Sequence, residues 1–225
     1  MNLLFLADQE SRSLWDFYEK EKLQNVDLIL SCGDLESAYL EFLVTLADCP
    51  LLYVCGNHDR HYLKHPPEGC ICIEDKIYNY KGLRILGLGG SMRYSEDAPF
   101  QFTEKEMAGR IRHLKPELTL KNGFDILLTH APAFGCGDLM DLPHRGFKCF
   151  NTLLEQYHPA YMVHGHVHQN YSHCFCREYA HPSGTRILNA YESCRLNIRE
   201  AEYPAQGHTG SFLYDLAMRM NRKNI

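Results

Sequence analysis

Short apolar runs, each closed by a cluster of polar residues, constrain this chain more than any other feature. Asn2–Leu6, Asp27–Ser31 and Leu51–Cys55 are of strand length and nearly continuous in apolar residues. A strand buried on both faces of a parallel sheet reads that way. Between these runs the apolar spacing becomes helical. Leu14, Phe17, Tyr18 and Leu23 recur within 11–24, with Ser11 as a plausible cap, and Leu40, Leu43, Val44 and Ala47 share one face of Glu36–Ala47. The first quarter of the chain therefore reads as βαβαβ. Polar residues gather past the carboxyl end of each strand: Asp8 to Glu10, then Gly33–Asp34, then Gly56–Asn57–His58–Asp59. In open α/β sheets, ligands sit outside that edge.

The middle of the chain changes character. Cys70–Ile73, Lys76–Tyr80 and Leu83–Leu88 read as successive strands, with a turn at Lys81–Gly82. Thr103–Lys121 reads as one helix that opens on a capping box, Thr103 with Glu106, and is interrupted or kinked by Pro116. Phe124–Thr129 is a further buried strand ending at His130, and Ala160–His164 is another, ending at Gly165–His166–Val167–His168. Phe147–Tyr157 reads as helix, Thr185–Tyr191 as a late strand, and the tail from Ser211 as helical. No repeat or linker divides the chain, so residues 1–225 are expected to form a single domain of the α/β class.

The formal net charge of −5 argues against a broad basic footprint and so against nucleic acid as a partner. Met1–Ala7 is apolar, but too short and without the basic flank of a secretory signal. No run approaches the ~18 apolar residues of a membrane span. With export and membrane insertion disfavoured, the expected place is the cytoplasm. The ten cysteines then read as reduced thiols. Cys70 and Cys72 are two apart, as are Cys174 and Cys176, the spacing of one strand face rather than of a structural zinc site.

The polar groups at the strand ends form one chemical set: Asp8, Glu10, Asp34, Asn57, His58, His130, His166 and His168. Their nitrogen and oxygen donors suit Mn, Fe, Zn or Co without any thiolate. In order along the chain, Asp8–Gln9–Glu10, Gly33–Asp34–Leu35–Glu36, Gly56–Asn57–His58–Asp59, Thr129–His130–Ala131–Pro132 and Gly165–His166–Val167–His168 resemble the motifs of calcineurin-like metallophosphoesterases. That resemblance implies a four-layer α/β/β/α sandwich with two mixed β-sheets. It implies two divalent metal ions, the first held by Asp8, Glu10 and His168, the second by Asn57, His130 and His166, with Asp34 bridging. His58 would face the phosphate and leaving oxygen, and Asp59 would orient its loop. The implied activity is hydrolysis of a phosphate ester by metal-bound hydroxide.

One ligand departs from the family pattern, since Glu10 stands where the first motif usually has His. An added hard oxygen donor favours Mn²⁺ or Fe²⁺ over Zn²⁺, or leaves the first site weak. Arg60, Arg93 and Arg145 are candidate substrate contacts, because a guanidinium grips phosphate oxygens as a fork. Ser91 and Tyr94 follow the glycine-rich end of Leu83–Leu88 as further candidates, and His164 reads as structural. The expected substrate is a small phosphate ester, with a lean towards a diester. The alternative is a non-catalytic scaffold on the same fold, which retention of His58 argues against.

Overall fold

The computed structural model describes residues 1–169 and 175–221. In chain order the regular elements are β1 (Asn2–Ala7), β2 (Leu28–Ser31), α1 (Ser37–Leu46), β3 (Leu51–Tyr53), β4 (Ile71–Cys72), β5 (Lys76–Tyr80), β6 (Leu83–Leu88), β7 (Ser91–Met92) and β8 (Gln101–Phe102). They continue with α2 (Glu104–His113), α3 (Lys115–Leu120), β9 (Ile126–Thr129), α4 (Lys148–Tyr157), β10 (Tyr161–His164), β11 (Glu178–Ala180), β12 (Arg186–Asn189), β13 (Glu192–Asn197) and α5 (Phe212–Asn221).

Two mixed sheets carry the fold. The first runs β13-β1-β2-β3-β4, parallel except for β13, which pairs antiparallel with β1. The second runs β11-β12-β10-β9-β6-β5, with a parallel centre and antiparallel pairs at both edges. Strand alternation decides what each face buries. Leu3, Phe5 and Ala7 of β1 meet Ile85, Ile126, Leu128 and Val163 between the sheets. Leu4 and Leu6 point the other way, onto Tyr39, Leu40 and Leu43 of α1. On the far side, Leu86, Leu127 and Met162 pack under Met107, Leu118, Phe150 and Leu154 of α2, α3 and α4. The layers are therefore α/β/β/α, as the resemblance implied.

Three local expectations change. The segment 11–24 is not an α-helix: it is a chain of turns with a short 3₁₀ helix at Lys20–Lys22. Leu14 and Leu23 are buried, but Phe17 is 61% exposed, so no continuous apolar stripe exists to stabilise a helix. Ser11 does not cap. Its amide donates to the Tyr39 hydroxyl and its hydroxyl to Glu192, which pins the strap at its start. The helix read across 103–121 is two helices that part at Leu114, with Pro116 in the first turn of α3, where its missing N–H costs nothing. The expected capping box is present: the Thr103 hydroxyl accepts from the Glu106 amide, and the Glu106 carboxylate accepts from the Thr103 amide. Finally, Cys174 lies outside the described residues, and Cys176 is not in a strand.

Candidate metal centre

The carboxyl ends of β1, β2 and β3 in one sheet and β9 and β10 in the other open onto a common edge. Backbone bonds join those ends: the Asp8 amide donates to Gly33 O at 3.1 Å, the Gly90 amide to Cys55 O at 2.7 Å, and the Gly165 amide to His130 O at 3.0 Å. Asp8, Asp34 and His166 adopt left-handed φ values of 65°, 57° and 68°. Each such residue costs about 1–3 kcal/mol and persists only where surroundings over-determine it. Glycines make room for the side chains. Gly33 has φ +95°, and a methyl on it would lie 2.2 Å from the Gly56 nitrogen.

The centre of the cluster is His130, fully buried. Its Nδ1 donates to the Cys32 carbonyl at 2.9 Å. That leaves Nε2 facing Asn57 Oδ1 at 2.9 Å, His166 Nδ1 at 3.1 Å and Asp34 Oδ2 at 3.3 Å. His166 is held in the same manner, its Nε2 donating to the Pro143 carbonyl at 2.8 Å. Each imidazole has its outer N–H committed to a backbone carbonyl, so the inner nitrogen offers its lone pair to the cluster. Metal-ligating histidines are oriented in this way. Two lone pairs, an amide oxygen and a carboxylate oxygen converge without a fixed donor among them, and a cation is the group that satisfies all four. Among the described residues, Asp34, His130 and His166 form the one group of three whose donor atoms lie within 4.8 Å of one another. These residues fit a divalent cation of the Mn, Fe, Co or Zn kind.

The protonation states show the same convergence. Burial opposes charge on Asp34, yet His130 and the His58 amide outweigh it and hold the carboxyl at about 2. Burial likewise works against a charged His130, but Asp34, Asp8 and Asp59 carry it to about 9. His166 is pushed well down by burial, and then by His130. A single positive charge among these groups is therefore strongly favoured, and a cation supplies it by displacing the proton.

The other expected site residues take different places. Asp8 accepts the His166 amide with both oxygens, at 2.8 and 2.9 Å, and lies 3.7 Å from His168 Nε2. The Glu10 carboxylate turns away, accepting the Glu36 amide at 3.3 Å at the start of α1, and it lines a separate cavity with Arg12, Trp15 and Tyr39. Asp8, Glu10 and His168 are thus not drawn into one cluster. Asp59 is buried and accepts the Asp34 and Gly56 amides at 2.8 and 2.7 Å, which orients the loop that carries Asn57. Burial, then the charge of Asp34, raises its carboxyl to about 7. His58 is exposed; its amide donates to Asp34 Oδ1 at 2.8 Å, and the residue borders a surface cavity with Arg60, His61 and Lys64.

Of the arginines, Arg60 shares the His58 cavity. Arg93 is committed to the Gln101 carbonyl and to Glu106 at 3.0 Å, and Arg145 donates to the Met140 carbonyl at 3.2 Å. The hydrogen bonds of these two guanidinium groups thus go to partners outside the cluster. His164 is fully buried, its Nδ1 on the Gly165 carbonyl, and burial lowers its pKa to about 4, which suits a neutral structural residue. Sequence reasoning missed the backbone carbonyls of Cys32 and Pro143, because a carbonyl acceptor carries no side-chain signature. It also left undecided Tyr94, whose hydroxyl accepts from Asn57 Nδ2 at 3.1 Å.

The fold has known counterparts. An uncharacterized protein of Methanocaldococcus jannaschii, MJ1162, is 26% identical over 157 residues, covering 64% of this chain and 70% of its own. The structure of TT1561 of Thermus thermophilus superposes with TM-score 0.57 at 14% identity, covering 85% of this chain and 89% of that one. Phosphopantetheinyl hydrolase of Mycobacterium tuberculosis gives TM-score 0.58 at 15% identity, covering 84% and 88%. At such identities the two structures speak for the fold alone. The family model described as calcineurin-like phosphoesterase matches residues 7–170, which hold every residue of the cluster, and the chain belongs to that family.

Proposed function

We propose that this protein hydrolyses a small phosphate ester, a diester in preference to a monoester, with a divalent cation held by Asp34, Asn57, His130 and His166. The observation that supports this best is the convergence at His130 Nε2 of three further acceptor atoms, with both imidazole rings locked from behind by carbonyls. When bound, such a cation polarises a phosphoryl oxygen and acidifies a coordinated water. The chain's own residues do the rest. His58, exposed beside Asp34, is placed to meet the phosphoryl group or to protonate the leaving oxygen. Arg60 and Lys64 give the neighbouring cavity a positive lip that draws an anionic ester towards it. Asp59 keeps the Asn57–His58 loop in register by holding two of its neighbouring amides.

The nine unpaired cysteines among the described residues are consistent with a reducing compartment, and we place the enzyme in the cytoplasm. No helix among the described residues is long and apolar enough to cross a membrane.

Release of nitrophenol from bis- and mono-nitrophenyl phosphate, with Mn²⁺, Fe²⁺, Co²⁺ or Zn²⁺ added in turn, tests the activity. His58→Ala is expected to lower kcat by about 10²-fold or more, the usual scale of a general acid. No turnover with any of the four metals would favour the scaffold reading instead. The second metal position is a separate expectation. Asp8, Glu10 and His168 would hold it only after Glu10 leaves the Glu36 amide. Metal titration is therefore expected to show one tight Mn²⁺ per chain and a second that binds about 10–100-fold more weakly, the range that a lost supporting contact costs. Glu10→His, which removes the carboxylate from the α1 amide, is expected to bring the second binding event closer to the first.

A further inference from the structure

Tyr94 stands at the mouth of the metal cluster, and hydrolysis by the groups named so far gives it no role. It follows β7 and is held by its backbone: the Tyr94 and Ser95 amides both donate to Gln101 Oε1, at 3.2 and 3.1 Å, and Gln101 is itself buried. The preceding Arg93 is tied to the Gln101 carbonyl and to Glu106. The phenol is thus presented from a fixed loop. Its oxygen accepts a hydrogen bond from Asn57 Nδ2 at 3.1 Å, while Asn57 Oδ1 faces His130 Nε2 at 2.9 Å. An amide NH₂ can only donate, so the phenol's own proton is free to point elsewhere. Tyr94 is 41% exposed, whereas the Asn57 that it touches is only 7% exposed. A single amide group therefore separates the phenol oxygen from the cation position, and the phenol lies on the solvent side.

We infer that Tyr94 is a substrate-binding residue that donates its phenol proton to a non-bridging oxygen of the phosphoryl group held at the Asp34–Asn57–His130–His166 cluster. The inference rests on the phosphoesterase reading. A phosphoryl group held at that cluster would have to be reached from the solvent side, since Asp34, Asn57, His130 and His166 close it from within and Tyr94 is exposed beside Asn57. The Tyr94 hydroxyl stands there, in contact with the Asn57 amide. A neutral O–H is suited to the task. It stabilises phosphoryl oxygen without adding a charge beside the cation, and its link to Asn57 means that binding of the ester also holds the ligand amide in place.

The test is Tyr94→Phe in the Mn²⁺-loaded protein, read by KM and kcat on bis-nitrophenyl phosphate, by competitive inhibition with inorganic phosphate, and by Mn²⁺ affinity from calorimetry. The expected result is a rise of about tenfold in both KM and the phosphate inhibition constant, equal to about 1.4 kcal/mol, with kcat and Mn²⁺ affinity each within about threefold of the parent. Unchanged KM and phosphate inhibition would overturn the inference while leaving the activity intact. So would a loss of Mn²⁺ affinity large enough to account for the whole defect, since Tyr94 would then be only a strut for Asn57. A parent protein that binds Mn²⁺ but releases no nitrophenol with any of the four metals would remove the phosphoesterase reading, and this inference with it.

Discussion

At the scale of single residues, the cluster depends on space as much as on ligands. Gly56 is the clearest case. A methyl group at that position would lie 2.0 Å from Asp34 Oδ1 and 2.7 Å from His130 Cε1. Its φ does not lie in the left-handed region, so the backbone tolerates alanine and only the clash remains. Gly56→Ala is therefore expected to displace Asp34 from His130 and lower Mn²⁺ affinity by tenfold or more, with the thermal midpoint falling by only a few degrees. Calorimetric metal titration beside a thermal melt would check both, and an unchanged affinity would show that Asp34 has another way to reach the ion. Much at this scale was legible in the sequence. Asp34, Asn57, His130 and His166 each follow an apolar strand, and the structure brings them together. Glu10 shows where legibility ends. Period-two alternation would carry Glu10 to the same side as Asp8, but Asp8 takes φ 65° and ends the extended backbone, so the alternation lapses before Glu10.

At the scale of elements, the strands buried on both faces were legible, and of the edge strands of the two main sheets β4 and β5 were found while β11 and β13 were not. β13 escaped notice because its residues, Glu192–Asn197, include Glu192, Arg195 and Asn197 and are half-buried or exposed in register with β1. An edge strand protected by charge gives no apolar run to find. The β5–β6 hairpin, by contrast, announced its turn. Lys81 and Gly82 both have positive φ, at 51° and 100°, as a two-residue hairpin loop requires. One buried ion pair was invisible to pattern reading: Arg84 of β6 grips Asp125 through two side-chain bonds, at 3.0 and 2.7 Å, and reaches the Lys121 and Asn122 carbonyls at the end of α3. Both side chains are 8% exposed. Removing one partner of a buried pair leaves the other charge uncompensated, at a cost of about 3–5 kcal/mol. Asp125→Ala is expected to lose that much in urea unfolding. Asp125 precedes β9 at the end opposite His130, so Mn²⁺ affinity should be retained in the folded fraction.

At the scale of the whole molecule, the site exists only while two sheets hold their carboxyl edges together. Beside the backbone bonds at that edge, Glu74 supplies a side-chain brace. It lies between β4 and β5, and its carboxylate accepts the Cys55 amide at 2.7 Å, just before Gly56–Asn57, and the Gly89 amide at 3.1 Å, at the end of β6. One side chain thus ties the first sheet to the second beside the cluster. Arg110 of α2 closes the clamp, meeting Glu74 at 2.5 Å and Asp75 at 2.9 Å while stacking over Phe102 and donating to the Gly89 carbonyl. Glu74→Ala strips two backbone amides of their acceptor, each at a cost of about 1–3 kcal/mol, and leaves Arg110 with Asp75 and the Gly89 carbonyl alone. The loop that carries Asn57 and His58 begins at one of those amides, so the loss is expected to spread to the cluster. Glu74→Ala should lower both unfolding free energy and Mn²⁺ affinity, whereas Asp125→Ala should lower only the first. Measuring the two quantities on both variants separates a fold that merely supports the site from one that sets its geometry. If Glu74→Ala destabilised the protein yet bound Mn²⁺ as tightly as the parent, the clamp would be structural alone, and the edge would be held by the backbone bonds from Gly90 to Cys55 and from Gly165 to His130.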